Sequence, residues 1–199
     1  MTVTSHERAR RILVASWIAL AALLAPVQAV AAADERLWAL LKGGGQVVMM
    51  RHALTVPGTG DPPGMRLDDC ATQRNLSDEG RADARRAGDA FRARGIPVGR
   101  ILSSPWCRCI ETAELAFGRT PETSTALSNL FTRPQNRDKQ VRAMQALVSA
   151  RPRDGNLVLV SHGSTISALT GVYLGAGEFV VVTPLGGGKF KVAGQGAAH

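Results

Sequence analysis

The stretch Gln46–His52 reads QVVMMRH, an apolar run that ends at an arginine and a histidine. Three glycines at positions 43–45 precede it. An unbroken apolar run of this length, bounded by glycine, is typical of a strand that is buried on both faces, as in a parallel sheet. Open parallel sheets bind their ligands outside the carboxyl ends of the strands. We therefore expect Arg51 and His52 to lie at a ligand-binding edge.

Helical and strand patterns alternate along the rest of the chain. Strands separated by helices of ten or more residues predict one α/β domain, with three α/β/α layers around a mostly parallel sheet. Residues 53–75 have no periodic pattern and are rich in proline and glycine, which favours a functional loop. The pattern predicts helices at 34–42, 78–94, 105–117, 138–150 and 164–169, strands at 46–50, 100–103, 156–160 and 179–182, a turn at 186–188 and a loose tail after 193.

Two further predicted strands end in polar residues. One leads into a helix with Arg108 in its first turn, and the other is followed directly by His162. These positions and His52 are about 55 residues apart along the chain, but the ends of parallel strands meet at one edge. Guanidinium forks, imidazoles and helix N-termini together suit a doubly charged phosphoryl group. Taken singly, a histidine at a strand end is more often a structural hydrogen-bonding residue, and an arginine near a helix start is usually solvated.

The same stretches resemble the histidine phosphatase superfamily, branch 1, which has a phosphoglycerate mutase-like fold. The resemblance implies that His52 is the nucleophile and becomes phosphorylated. It also implies that the phosphoryl oxygens are held by Arg51, Arg108 and His162. The matching stretches, in the family's order, are Val47–His52, Leu76–Gly80, Ser103–Ala113 and Val160–Gly163.

The two histidines have different chemical requirements in such a site. A histidine nucleophile must present a neutral nitrogen to phosphorus, so we expect the other ring nitrogen of His52 to donate to a backbone carbonyl. His162 is more useful protonated, as a further donor to the phosphoryl oxygens. The local environment must therefore hold the two rings in opposite protonation states.

Two positions place the chain within the family. Ala53 stands where the family commonly has glycine, and the Arg-His-Ala form resembles small phosphohistidine phosphatases and a periplasmic phosphatase of heptose phosphate in the lipopolysaccharide core. The stretch Arg74–Ser77 resembles the Arg-Pro-Leu-Thr stretch of the phosphohistidine type. Arg74 is therefore a candidate substrate-binding residue, or else a solvated loop arginine.

The proton donor is not assigned by the sequence. Asn129 stands where the resemblance leads us to expect a glutamate, and an amide cannot protonate a leaving alcohol. Asp69 and Glu178 are candidate replacements. Alternatively, the substrate has a good leaving group and needs no acid, or the fold serves as a non-catalytic module that binds a phosphate-bearing ligand.

Residues 1–33 have the pattern of a secretory signal peptide, which leaves 34–199 as the phosphatase domain. Arginines precede an apolar stretch at 12–25, and small residues follow at 29–33. This predicts a periplasmic or secreted protein with no stable membrane span after cleavage. An exported phosphatase would meet envelope-sugar phosphates or small phosphoesters. The sequence determines neither the physiological substrate, the cleavage site nor the oligomeric state.

The three cysteines predict a disulfide rather than a metal site, because an exported protein folds in an oxidising compartment. Cys109 falls on the buried stripe of its predicted helix, so the favoured pair is Cys70 with Cys107. Cys-x-Cys is not the usual spacing of structural zinc ligands, so we expect neither a metal nor another cofactor.

The net charge of +8 suits an anionic ligand but does not identify it. Nucleic acid is one such ligand. The chain has few aromatic residues and no run of five basic ones, which argues against a nucleic-acid partner.

Overall fold

The computed structural model of the chain describes residues 34–197, and the predicted signal peptide lies outside them. The compact unit that carries the fold begins at Leu37. The helices of the described chain are α1 (34–42), α2 (Asp78–Ala93), α3 (Cys107–Phe117), α4 (Arg137–Ser149) and α5 (Gly163–Thr170). Its strands are β1 (Val47–Arg51), β2 (Val98–Ser103), β3 (Glu122–Thr123), β4 (Asn156–Ser161), β5 (Phe179–Gly186) and β6 (Lys189–Gly196).

The six strands form one sheet in the order β3-β2-β4-β1-β5-β6. The pairs among β3, β2, β4 and β1 are parallel, whereas β5 runs antiparallel to β1 and to β6. In the central parallel pair, Arg51 lies opposite Ser161, so both strands end at the same level. The predicted fold class is confirmed.

The sheet is covered by helices on both faces, which explains the unbroken apolar runs in β1 and β4. Val48 and Met50 pack into one cluster with α1, α2 and α3, while Val47 and Met49 pack into a second cluster with α4 and α5. Burying each such side chain contributes about 1.5–3 kcal/mol. The core therefore fixes the strand ends.

The C-terminal region differs from the sequence prediction. The tail after residue 193 is not loose, because β6 extends to Gly196 and pairs with β5. Side chains of β6 are at most half-buried, and its glycines weaken the local strand pattern. Pairing with β5 overrides that weak local preference. The two-residue strand β3 also had no signal in the sequence.

The long segment between β1 and α2 is an irregular loop, and a backbone hydrogen bond joins its two ends. Ser77 N donates to Leu54 O at 3.0 Å, and the Ser77 hydroxyl caps α2 by accepting from Gly80 N at 3.0 Å. A Cβ atom at Gly80 would lie 1.9 Å from Leu54 O, so only glycine fits there. A disulfide between Cys70 and Cys107 joins the middle of this loop to the start of α3.

Within the part of the chain that the structure covers, no helix has the length and apolar character needed to cross a bilayer.

Candidate active site

A cavity of about 380 Å³ opens at the carboxyl ends of β1 and β4. The residues that the sequence singled out for phosphoryl binding and catalysis all line it: Arg51, His52, Arg74, Arg108 and His162. The ring centroids of the two histidines are 5.4 Å apart. The structure thus brings together residues from β1, the long loop, α3 and the end of β4.

His52 is held in one tautomer by the backbone. Its Nδ1 lies 2.9 Å from Ala53 O, and because a carbonyl can only accept, Nδ1 carries the proton and Nε2 carries the lone pair. The carbonyl is itself fixed, since Ala53 N donates to Thr112 Oγ1 at 3.0 Å. The methyl group of Ala53 is buried against Leu76 and Ala84, which accounts for alanine at this position.

The electrostatic environment keeps His52 neutral. Its pKa is lowered from 6.5 to about 3, mainly by burial and in smaller part by the nearby charges of Arg108, Arg51 and Arg74. The hydrogen bond to Ala53 opposes this shift only in part. A neutral imidazole with a free Nε2 is the state that a nitrogen nucleophile requires.

His162 is also neutral, in contrast to the protonated state expected from the sequence. Burial, and then the neighbouring His52 and arginines, lower its pKa well below 6.5. Its Nε2 lies 2.8 Å from Ser104 Oγ. If that hydroxyl donates, the ring proton sits on Nδ1, a buried atom with no hydrogen bond to residues 34–197. A neutral His162 can therefore still donate one hydrogen bond to an anion.

The three arginines share one feature: each has a buried Nε with no hydrogen-bond partner in the described chain. Each arginine is anchored through at least one Nη atom. Arg51 Nη1 donates to Leu174 O at 2.7 Å, and Arg74 Nη1 donates to Gly58 O. Buried donors without a partner are costly unless they bind a ligand, so the cluster indicates an oxyanion site.

Asp61, which the sequence reasoning missed, is the counter-ion of Arg108. Its Oδ1 accepts from Arg108 Nη1 at 2.6 Å, and its Oδ2 accepts from Nη2 at 3.2 Å. Burial raises the pKa of Asp61, but the hydrogen bond and charge of Arg108 outweigh burial and hold the pKa below its usual value. A buried arginine needs such a partner, yet nothing local distinguishes Asp61 from Asp68 and Asp69 in the same loop.

Neither carboxylate that the sequence offered as a proton donor lines the cavity. Asp69 accepts from Arg66 Nη2 at 2.7 Å and from Ala71 N at 3.1 Å. Glu178 immediately precedes β5, and its backbone O accepts from Arg51 N at 2.9 Å, but its side-chain Oε2 accepts from Gly175 N at 2.6 Å. Within residues 34–197, the cavity lining contains no carboxylate.

Asn129 does line the cavity, in the region where a glutamate was expected. Its Oδ1 accepts from Phe131 N at 3.0 Å and from Ser164 Oγ at 3.1 Å. Only its amide NH₂ group is therefore available to a ligand. This group can hold an oxygen atom of a substrate but cannot act as an acid.

Two aromatic side chains stand at the rim of the cavity. Phe131 is 65% exposed and Tyr173 is 85% exposed, and both line the opening. The sequence reasoning did not single them out, because an isolated aromatic residue in a loop carries no periodic signal. These two exposed aromatic rings are therefore positioned where a ligand in the cavity could contact them.

The described part of the chain contains neither a candidate metal site nor a reactive thiol. No group of three His, Cys, Asp or Glu residues in it could hold a metal ion. Cys109 is a buried free thiol. Burial raises its pKa to about 12, so it stays protonated and unreactive.

Three solved structures share this fold at low sequence identity. The protein histidine phosphatase SixA complexed with tungstate is 17% identical over 77% of this chain and 97% of its own, with a TM-score of 0.57. The mycobacterial glucosyl-3-phosphoglycerate phosphatase is 19% identical over 77% and 99%, with a TM-score of 0.57. A phosphoserine phosphatase mutant from Entamoeba histolytica in complex with phosphoserine is 12% identical over 77% and 98%, with a TM-score of 0.56. The TM-scores show that the four proteins share a phosphoglycerate mutase-like fold.

Sequence comparison finds one matching family model. No curated protein matches the chain. The model of the histidine phosphatase superfamily (branch 1) matches residues 47–131, the segment that carries Arg51, His52, Arg74 and Arg108. Residues 47–131 therefore match branch 1 of the histidine phosphatase superfamily, and this match supports a phosphoric monoester hydrolase.

Proposed function

We propose that this protein is an exported phosphatase that hydrolyses phosphate monoesters through a covalent phosphohistidine on His52. The observation that carries the proposal is the state of that ring: neutral, with Nδ1 bonded to Ala53 O and Nε2 free, in a cavity that three arginines line. Phosphoryl transfer needs mainly a positioned nucleophile and charge stabilisation. The site supplies both.

The reaction has two displacements at phosphorus. First, the lone pair of His52 Nε2 attacks phosphorus, the P–O bond to the alcohol breaks, and the leaving oxygen keeps the electron pair and takes up a proton. Then a water oxygen attacks the phosphohistidine, the P–N bond breaks, and phosphate leaves with His52 neutral again. Arg51, Arg108 and His162 donate to the phosphoryl oxygens in both steps.

The described residues of the site provide no side-chain acid to protonate the leaving alcohol. No carboxylate lines the cavity in the described residues, and Asp61 is held ionised by Arg108. The proton then comes from the phosphate group itself, whose second pKa is about 6, or from solvent at the cavity mouth. Alkyl esters should therefore react best on the acid side of neutrality, whereas esters with good leaving groups should depend less on pH.

The rim supports an uncharged, hydroxyl-bearing leaving group, such as an envelope sugar. Phe131 and Tyr173 offer apolar faces for the C–H face of a sugar ring. Asn129 and Ser164 offer polar groups for its hydroxyls. Among residues 34–197, the cavity lining includes no acidic residue that would attract an ammonium group. Predicted export would bring the enzyme to such substrates.

Trapping of the covalent intermediate tests the mechanism. Incubation with a labelled aryl phosphate, followed by an alkaline quench, should leave acid-labile phosphate on His52. His52→Ala should take up no label and lose turnover, whereas the control variant His199→Ala should keep both. Label on another residue, or near-normal turnover in His52→Ala, would contradict the mechanism. No label and no hydrolysis across several phosphate classes would favour the non-catalytic binding module.

Substrate preference tests the role of the rim. Phe131→Ala and Tyr173→Ala should lower kcat/KM for ring sugar phosphates more than for glycerol phosphate, which has no ring to pack on them. Leu185→Ala is a matched control, because Leu185 is also exposed but does not line the cavity. Equal losses for both substrates, or a preference for phosphoserine, would rule out a sugar-binding rim.

Export is tested on the full chain. Expression in a bacterial host, cell fractionation and N-terminal sequencing should find the protein outside the cytoplasm, cleaved near Ala31 or Ala33. Uncleaved protein confined to the cytoplasm would remove export from the proposal without affecting the chemistry.

A further inference from the structure

Arg108, the most buried arginine of the cavity, is already engaged by a carboxylate. Its side chain is 1% exposed and that of Asp61 is 4% exposed. Asp61 binds both Nη atoms and so occupies one of the two edges through which the guanidinium can form a bidentate fork with a phosphoryl group. Only the Nε of Arg108 lacks a partner in residues 34–197. Asp61 and a phosphoryl group would therefore compete for one guanidinium.

Asp61 is fixed in this position independently of Arg108. Trp106 Nε1 donates to its Oδ2 at 3.0 Å, and Arg74 N donates to its Oδ1 at 3.1 Å. Trp106 is fully buried, so this anchor belongs to the core. The carboxylate therefore stays beside Arg108 when an anion enters the cavity.

The charge of the cavity indicates what Asp61 does there. With both histidines neutral, the guanidinium groups of Arg51, Arg74 and Arg108 carry three positive charges, and Asp61 reduces the net charge to two. Two charges match one phosphate dianion. Without Asp61 the cavity would carry an excess positive charge and bind any phosphate more tightly.

We propose that Asp61 is a built-in competitor of the phosphoryl group for Arg108, which weakens the binding of inorganic phosphate and so allows the product to leave. The inference rests on the phosphatase function proposed above. Substrate and product share the phosphoryl group, so tighter binding of that group stabilises both and does not raise kcat. Asp61 is thus a positioning residue that acts through Arg108.

Direct binding of inorganic phosphate, measured by calorimetry at pH 7, tests this inference. In Asp61→Asn the dissociation constant for phosphate should fall about tenfold, because a competing negative charge is removed. The inhibition constant for phosphate should fall with it, while kcat falls because the product leaves slowly. If the carboxylate only supported the fold, its removal would weaken phosphate binding, and the dissociation constant for phosphate would rise.

Two further variants separate charge from structure. Trp106→Phe removes one hydrogen bond to Asp61 but keeps its charge, so phosphate should bind no more tightly than to the wild type. Asp61→Ser removes the charge without placing an amide NH₂ group against Arg108, and it should also bind phosphate more tightly. Folding of each variant is checked by circular dichroism.

The outcomes distinguish this inference from the proposed function. If the wild-type protein binds no phosphate, the oxyanion site itself fails, and with it the proposed function. If the wild type binds phosphate but both folded Asp61 variants bind it equally or more weakly, only the role of Asp61 is overturned. Failure of both variants to fold would assign Asp61 to stability and overturn the inference as well.

Discussion

The floor and the wall of the cavity are held in place by different forces. The floor, which comprises Arg51, His52 and His162, follows directly from the central strands, and His52 N donates to Ser161 O at 2.9 Å. The wall, residues 53–75, contains no helix or strand beyond a 3-10 turn and two isolated bridges. It is held by the Cys70–Cys107 disulfide and the Asp61–Arg108 ion pair.

Because of this difference, the floor should determine turnover and the wall should determine substrate affinity. The sheet fixes the floor with a regular hydrogen-bond ladder, so the nucleophile stays in place when a single side chain changes. The wall depends on a few polar and covalent contacts, so single changes can move Arg74 and Asp61 relative to Arg108. Damage to the wall should therefore appear first in substrate binding, and damage to the floor in turnover.

Removal of Arg108, where floor and wall meet, should have the largest effect. Arg108→Ala deletes a phosphoryl ligand and leaves the buried carboxylate of Asp61 unpaired, which costs about 3–5 kcal/mol of unfolding free energy. Turnover should fall by orders of magnitude. Urea unfolding and steady-state kinetics measure the two effects. Arg100→Ala, which breaks an exposed ion pair with Glu122, is the control and should change neither. Normal stability of Arg108→Ala would show that the ion pair does not hold the wall.

Reduction of the disulfide should loosen the wall alone. The Cys70–Cys107 bridge joins residues 37 positions apart and encloses Arg74, and losing such a bridge costs about 2–4 kcal/mol. With dithiothreitol, KM should rise more than kcat falls, because the floor is untouched. Thermal unfolding and kinetics are measured with and without reductant. The double variant Cys70→Ala with Cys107→Ala should match the reduced protein and be insensitive to reductant. An equal fall in kcat and kcat/KM on reduction would contradict the separation of floor from wall.

Acid should destabilise the floor. The folded pKa of His52 is about 3 and that of His162 also lies well below 6.5, so the unfolded chain binds protons that the folded one does not. The contribution of the two histidines to the free energy of unfolding is therefore fully present above pH 6.5 and is lost as the pH falls towards 3. At pH 5, protonation of the unfolded state at His52 alone lowers the free energy of unfolding by about 2 kcal/mol relative to neutral pH. Urea unfolding at pH 7.5 and pH 5 measures the loss.

His52→Asn removes one titrating ring but keeps a donor for Ala53 O, so it serves as the control for acid destabilisation. The difference in unfolding free energy between the two pH values should shrink in this variant. An unchanged difference would mean that other groups cause the acid effect.

The floor was predictable from sequence, whereas the wall was predictable only as a functional loop with Arg74 and the Cys70–Cys107 pair, and its contact between Asp61 and Arg108 was not. Arg51, His52 and His162 end apolar runs, and the geometry of parallel strands alone brings such ends together. Asp61 reaches Arg108 across 47 residues through an irregular loop. No local period encodes that contact. The proton-donor candidates failed for the same reason, since the nearest backbone amides and charges determined the orientation of Asp69 and Glu178.

The smallest predicted effect concerns the tautomer of His162. Ser104 Oγ lies 2.8 Å from Nε2, and only the more distant Cys109 Sγ, at 3.6 Å, could replace it. Ser104→Ala should cost about 1 kcal/mol of stability. It should also lower kcat/KM about tenfold, because the ring proton of His162 then divides between Nδ1 and Nε2 and is less often available to the phosphoryl oxygen.

A matched control separates the two effects of Ser104→Ala. Ser103 is equally buried, but its hydroxyl donates to the backbone carbonyl of Ser104 and not to His162. Ser103→Ala should therefore lose similar stability and keep its activity. The ¹⁵N chemical shifts of His162 should show the proton on Nδ1 in the wild type and in Ser103→Ala, and a mixture of tautomers in Ser104→Ala. If the shifts stay the same in all three proteins, the backbone positions the floor without help from this hydroxyl.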